Sequence, residues 1–314
     1  MLSSIINHKD PKIVVIYHEN CTDGFASAWA CHRYFNRARP GLEPRVEYIP
    51  VNYGTELYQS DLSDLLQGKF VFIVDFSFPR DKLLEYNKVA EDMVVLDHHK
   101  TSQKDCEGLT FCKFDMTKSG AMLAWEYFND PNPSFKGRGV PRFIEYVQDY
   151  DLWKFEWPHS QAINAWIQSF ELAFDKYDYM FGVLESPYPQ ELEKIVEQGM
   201  AIIRAENRAI EKAVIRANRL IIDGHEVKAV NNPHLISKTA GALAKTKGAG
   251  SGIGVAYFFN QEYNIVVSLR SDKDNPSAVD VSEVAKKFGG GGHKNAAGFT
   301  VSIDKFKEFI PKPN

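Results

Sequence analysis

The chain has 314 residues, 44% hydrophobic and 25% charged, an ordinary globular composition that excludes a disordered or fibrous protein. Lys+Arg 37 against Asp+Glu 41 leaves a net charge of −4, which argues against a large basic platform for nucleic acid but not against a small groove or a short nucleotide ligand. There is no apolar run of about 18 residues to cross a membrane, no basic-then-apolar leader in MLSSIINHKD, and four cysteines (Cys21, Cys31, Cys106, Cys112) that make neither a zinc-knuckle spacing nor a disulfide scaffold, so no membrane contact and a cytoplasmic location are expected.

The first half alternates β-branched apolar runs with helical stretches. Ile13–Tyr17, Val46–Val51, Phe70–Phe76 and Met93–His98 read as strands, and Phe25–Arg37, Glu56–Leu66 and Arg80–Val89 as helices between them. The strands are continuously apolar rather than alternating, the pattern of parallel strands buried on both faces, and strand–helix–strand repetition predicts a doubly wound, mostly parallel α/β sheet. From Lys118 to Gln168 the pattern is helical and aromatic, and Trp125, Trp153, Trp157 and Trp166 are expected to pack. Glu191–Leu220 reads as one long amphipathic helix, with Leu192, Ile195, Val196, Ile203, Ile210 and Val214 near one stripe. Its predicted length of roughly 45 Å suits a connector between lobes. Beyond it, strands at Glu226–Val230, Gly252–Phe259 and Tyr263–Leu269, helices at Leu235–Lys245 and Val281–Phe288, and a last strand–helix pair predict a smaller α/β domain. The expected organisation is a first domain over 1–185, a connector helix within 186–220 and a second domain over 221–314.

Four places carry titratable groups at strand or helix ends. His18-Glu19-Asn20-Cys21-Thr22-Asp23-Gly24 follows the first strand, Asp75 closes the third, Asp97-His98-His99 closes the fourth, and Asp149-Tyr150-Asp151 ends the helical stretch Pro141–Gln148. One Asp after a strand is more often a helix cap than a ligand. Three successive βα turns bearing His and Asp change that balance, because ligands of open α/β sheets bind outside the carboxyl ends of the strands. Adjacent strand ends lie about 4.8 Å apart, so these side chains can converge on one or two divalent cations. Mixed carboxylate–imidazole ligation suits Mn²⁺, and also Mg²⁺, Fe²⁺ or Zn²⁺.

This set resembles the DHH phosphoesterase superfamily, whose motif stands here as Asp97-His98-His99. The tail Gly289-Gly290-Gly291-Gly292-His293-Lys294-Asn295-Ala296-Ala297-Gly298-Phe299 is similar to the glycine-rich motif of the DHH-associated C-terminal domain, and Ser268-Leu269-Arg270-Ser271 to that domain's arginine-bearing strand. The resemblance runs from about His18 to Phe299. It implies that Asp75 bridges two metals. Asp23, His98 and one of Asp149 and Asp151, with Asp149 favoured, complete one metal site, and His18 belongs to the other. Asp97 orients its neighbours and His99 contacts the scissile phosphate. Relatives carry Asp-x-Asp-Gly where this chain has Cys21-Thr22-Asp23-Gly24, and His18 to Asp23 is one residue shorter than usual. Cysteine ligates softer metals and is a poor partner for Mn²⁺ or Mg²⁺, so Cys21 is a further candidate ligand beside a role as a small, partly buried residue.

The glycine run can set backbone N–H groups around an anion, and Arg270, Gly290, Gly291, Gly292 and His293 are candidate substrate contacts suited to a phosphate or carboxylate. The resemblance implies metal-dependent hydrolysis of a short nucleotide: a very short oligoribonucleotide, a dinucleotide or phosphoadenosine phosphate. A catalytically weakened binding module of the same fold is the alternative that Cys21 favours, and a second copy of the chain is a candidate partner.

Overall fold

A computed structural model describes residues 1–38, 45–129, 139–246 and 251–311. Successive side chains of a strand point to opposite faces of its sheet, and the first strand, β1 (Lys12–His18), has an apolar group on each. Ile13 and Val15 pack in one cluster with Trp29, Phe72, Leu96 and Phe143, while Val14 and Ile16 pack in another with Val71, Ile73, Leu83 and Tyr86. Burial on both sides is why the run is unbroken rather than alternating. With β2 (Arg45–Val51), β3 (Phe70–Val74), β4 (Asp92–Asp97) and β5 (Cys112–Phe114) it forms a five-stranded, wholly parallel sheet in the order β2-β1-β3-β4-β5. This places the carboxyl ends of β1, β3 and β4 side by side.

The chain divides into two units, Met1–Ile203 and Arg204–Asn314. The second is built on a mixed sheet of β6 (Asn218–Ile222), β7 (His225–Asn231), β8 (Ile253–Phe259), β9 (Ile265–Ser271), β10 (Gly291–His293) and β11 (Ala296–Val301), ordered β10-β11-β9-β8-β7-β6. Within this second sheet, β7 and β8 alone pair in parallel among the described strands. Leu220, Val227, Val255, Val267, Val284 and Phe299 belong to its separate core. Among the described residues no helix is long and apolar enough to cross a membrane.

Four expectations change. The long helix is Pro189–Val214, and Leu220 lies on β6 instead. Asp223 and Gly224 both have positive φ, 51° and 77°, and Ile222 pairs with His225, so the two residues make the tight hairpin that Asp-Gly favours. The stretch 56–66 is two short helices, Glu56–Gln59 and Ser63–Leu66, because Asp61 accepts a hydrogen bond from the Ser63 amide (2.9 Å) and breaks the run. The third strand stops at Val74 because Asp75 turns to φ 53°, a left-handed conformation that Asp tolerates better than most residues. Of the aromatic-rich stretch, Trp125 and Trp166 are buried, whereas Trp153 and Trp157 are 46% and 38% exposed on the loop after the helix Arg142–Asp151.

Candidate metal centre

The left-handed turn at Asp75 aims its carboxylate across the strand ends. Its Oδ1 lies 3.0 Å from His98 Nε2, and its Oδ2 lies 3.6 Å from His18 Nδ1. The same His98 Nε2 is 3.7 Å from Asp23 Oδ2 and 3.6 Å from Asp151 Oδ2. Carboxylates from three segments far apart in the chain thus converge on one imidazole. Ligand atoms of Asp23, Asp75 and His98 lie within 4.8 Å of one another, as do those of His18, Cys21 and Asp75.

Each group is held by its own local structure. Asp97, at the end of β4, is fully buried. Its Oδ1 accepts hydrogen bonds from the amides of His98 (2.7 Å) and His99 (3.2 Å) and sits 2.8 Å from His99 Nδ1, so one carboxylate oxygen turns the chain and orients the His99 ring. Asp23, in the first turn of the helix Thr22–Ala38, accepts hydrogen bonds from the amides of Gly120 (2.7 Å, to Oδ2) and Ala121 (3.0 Å, to Oδ1). It thereby caps the helix Gly120–Asn129, whose positive end suits a carboxylate. Tyr53 and Phe76 wall the His18 ring, with centroids 5.6 and 6.0 Å away.

The charges are unbalanced as they stand. Burial and the neighbouring charges of Asp75 and Asp151 push the Asp23 carboxyl well above the usual carboxylate range, and burial raises Asp151 as well. Burial alone would raise Asp75 too, but the imidazoles of His18 and His98 outweigh it and hold Asp75 well below that range. Burial disfavours the His98 cation, yet its bond to Asp75 and the Asp151 charge lift it to about 10. His99 is likewise raised, the Asp97 carboxylate overcoming burial. Burial, then the charges of Asp75, Asp151 and Asp23, push the Cys21 thiol far up.

A cation fits the atoms present. His18 Nδ1, Asp75 Oδ2 and Asp151 Oδ2 are buried and have no hydrogen-bond partner. Buried polar atoms left in this way are costly unless something binds them, and oxygen and imidazole nitrogen are donors for Mn²⁺, Mg²⁺ or Zn²⁺.

One expected ligand is not at the cluster. Asp149 accepts hydrogen bonds from the backbone amides of Glu156 (2.9 Å) and Trp157 (3.4 Å), and its carboxylate anchors the loop after its helix. Asp151, two residues on, faces His98 in its place. The Gly120–Ala121 amide pair and Tyr53 were not singled out from the sequence. The helix start Ser119-Gly120 was the available signal for the first, and for Tyr53 there was none. In the second unit, Arg270 Nη1 donates to the Leu269 carbonyl (2.8 Å) and Ser268 Oγ (3.2 Å), and Nη2 to Ser237 Oγ (2.7 Å), which fixes the guanidinium. The glycine run begins at a helix end and continues as a strand. The amides of Gly289 and Gly290 donate to the Lys286 and Ala285 carbonyls, and Gly291, Gly292 and His293 pair with Gly298, Ala297 and Ala296 as an edge strand.

Residues 12–147 match the DHH family, N-terminal domain, and residues 223–312 match the DHHA1 domain. The chain is 30% identical over 313 residues to the uncharacterised protein R106 of Acanthamoeba polyphaga mimivirus, covering 96% of this chain and 70% of that protein. It is 24% identical over 283 residues to oligoribonuclease NrnB of Bacillus subtilis (strain 168), covering 86% of this chain and 66% of that protein. Among solved structures, RecJ in complex with Mn²⁺ from Thermus thermophilus shares the fold, with a TM-score of 0.51, 16% identity, and 99% of this chain and 54% of that one covered.

Proposed function

This chain belongs to the DHH family, and on that premise we propose that it is a divalent-metal-dependent phosphoesterase acting on short nucleotides. The observation that carries the proposal is the meeting of Asp23, Asp75, His98 and Asp151 at the carboxyl ends of adjacent parallel strands, with buried ligand atoms that have no hydrogen-bond partner. The Mn²⁺ of the RecJ neighbour and the oligoribonuclease activity in the name of the Bacillus relative support the cation and the substrate class.

In this proposal Asp75 serves two metal positions, one oxygen toward His98 and the other toward His18. Asp23, His98 and Asp151 complete one position, and His18 stands at the other. When bound, Mn²⁺ or a similar cation supplies charge neutralisation at phosphoryl oxygens and a more acidic water. The protein's own share is orientation and charge. Asp97 fixes the His99 ring and favours its cationic form, the state suited to a phosphate oxygen. In the second unit, Arg270, whose guanidinium is held by Ser237 and Ser268, and His293 at the end of the edge strand are the candidate contacts for a phosphate or carboxylate.

The test is hydrolysis of a dinucleotide by the full chain with Mn²⁺. Activity should vanish in excess chelator, and Asp75→Asn should lower it by more than the ~100-fold typical of losing a single electrostatic contact. Hydrolysis that persists unchanged in chelator would defeat the proposal. Tight nucleotide binding without turnover in Mn²⁺ would favour the binding module instead.

A further inference from the structure

Cys21 lies in the turn that joins β1 to the helix Thr22–Ala38. Its carbonyl accepts a hydrogen bond from the Phe25 amide (3.0 Å), so its backbone already belongs to the first helical turn and its side-chain direction is set. Ligand atoms of His18, Cys21 and Asp75 lie within 4.8 Å of one another. Donors about 2.0–2.3 Å from an ion in a tetrahedral site lie about 3.3–3.8 Å apart, so atoms already within 4.8 Å of one another need only small side-chain adjustments to close on a cation. A second observation points to a ligand at the same place. Asp75, 1% exposed, presents Oδ2, and His18 presents Nδ1, and both atoms are buried without a hydrogen-bond partner. The donor set is therefore one imidazole nitrogen, one sulfur and one carboxylate oxygen.

We propose that His18, Cys21 and Asp75 form a thiolate-containing site that takes a borderline-soft divalent cation of the Zn²⁺ and Co²⁺ class in preference to Mn²⁺ or Mg²⁺. It adjoins the harder oxygen-rich position of Asp23, Asp75, His98 and Asp151, so the two positions differ in metal preference. The proposal rests on the metal-centre reading above, because Asp75 is common to both. Thiolate selects softer cations, whereas Mn²⁺ and Mg²⁺ prefer oxygen. Binding releases the Cys21 S–H proton to solvent, the sulfur electron pair goes to the cation, and no oxidant or reductant is needed.

The probe is Co²⁺, titrated without oxygen into the metal-free full chain. Wild type should take two equivalents, one of them giving a thiolate-to-cobalt charge-transfer band in the near ultraviolet. Cys21→Ser should lose that band while keeping one equivalent. Cys21→Asp should also lose it and should bind Zn²⁺ at least ~10-fold more weakly at this position, with Mn²⁺ binding gained. Co²⁺ bound by wild type with no thiolate band, or a band that survives in Cys21→Ser, overturns the thiolate site but leaves the metal centre standing. Failure of wild type and both variants to bind any divalent cation would overturn the metal-centre reading together with it.

Discussion

Asp149 and Asp151 are two residues apart on one helix, and at 3.6 residues per turn their side chains point about 200° apart. One must face the strand ends and the other the following loop, and the structure gives the first place to Asp151. The two substitutions should therefore separate. Asp151→Asn should weaken Mn²⁺ binding and activity with little change in thermal midpoint. Asp149→Ala removes the acceptor of two backbone amides, and hydrogen bonds to a charged group contribute about 1.5–3 kcal/mol each. It should lower the thermal midpoint by several degrees while Mn²⁺ stoichiometry is kept. Paired melting and metal-titration curves decide the matter, and the reverse pattern would return the ligand role to Asp149.

At the scale of elements, the helix Gly120–Asn129 buttresses the centre with its first turn. Its first amides hold Asp23, and its first residue lies against Asp75: a Cβ on Gly120 would collide with the Asp75 Cβ and stand 2.6 Å from Oδ1. Asp75 is already committed to a left-handed turn and cannot retreat cheaply. Gly120→Ala should displace both carboxylates, abolish high-affinity Mn²⁺ binding and lower activity at least ~100-fold in a chain that still melts cooperatively. Gly182 is exposed in the helix Phe174–Leu184, and a Cβ added there would meet nothing within 4 Å, so Gly182→Ala is the control. It should leave Mn²⁺ binding intact and stabilise the chain by roughly 0.5–1 kcal/mol, the usual gain for alanine within a helix. Equal loss of metal in both variants would mean that the close approach at Gly120 has no special role.

At the scale of the whole molecule, two units with separate cores carry different chemistry. The first holds the carboxylate–imidazole centre, and the second holds the fixed guanidinium of Arg270. If the second unit serves recognition, Arg270→Ala should raise KM for a dinucleotide far more than it lowers kcat. A charge-assisted hydrogen bond of about 1.5–3 kcal/mol corresponds to roughly 10- to 150-fold in affinity. A small chromogenic phosphodiester with no remote part should be cleaved almost as well as by wild type. Loss of the small ester as complete as loss of the dinucleotide would place Arg270 in the chemistry itself.

Periodicity and punctuation within the sequence determined the parallel sheet, its strand-end His and Asp groups, and the second α/β region, because doubly buried strands must be apolar throughout and the residues that end them are visible as breaks. Asp75 and His98 could be read as a pair in this way, since both close neighbouring strands. What tertiary structure alone decided was direction. The left-handed turn at Asp75, the choice of Asp151 over Asp149, and the capping of Asp23 by amides nearly a hundred residues away depend on angles and long-range contacts that no local pattern encodes. The start of the glycine run is different: the Gly289 and Gly290 amides donate to the Lys286 and Ala285 carbonyls, three and five residues back, and Gly289 has φ 78°, so these two end the helix Val281–Lys286 by a local pattern that glycine signals in the sequence. Only the pairing of Gly291, Gly292 and His293 with β11 was left to the fold. Residue type sets which bonds a group can make, whereas the fold sets which of them are within reach.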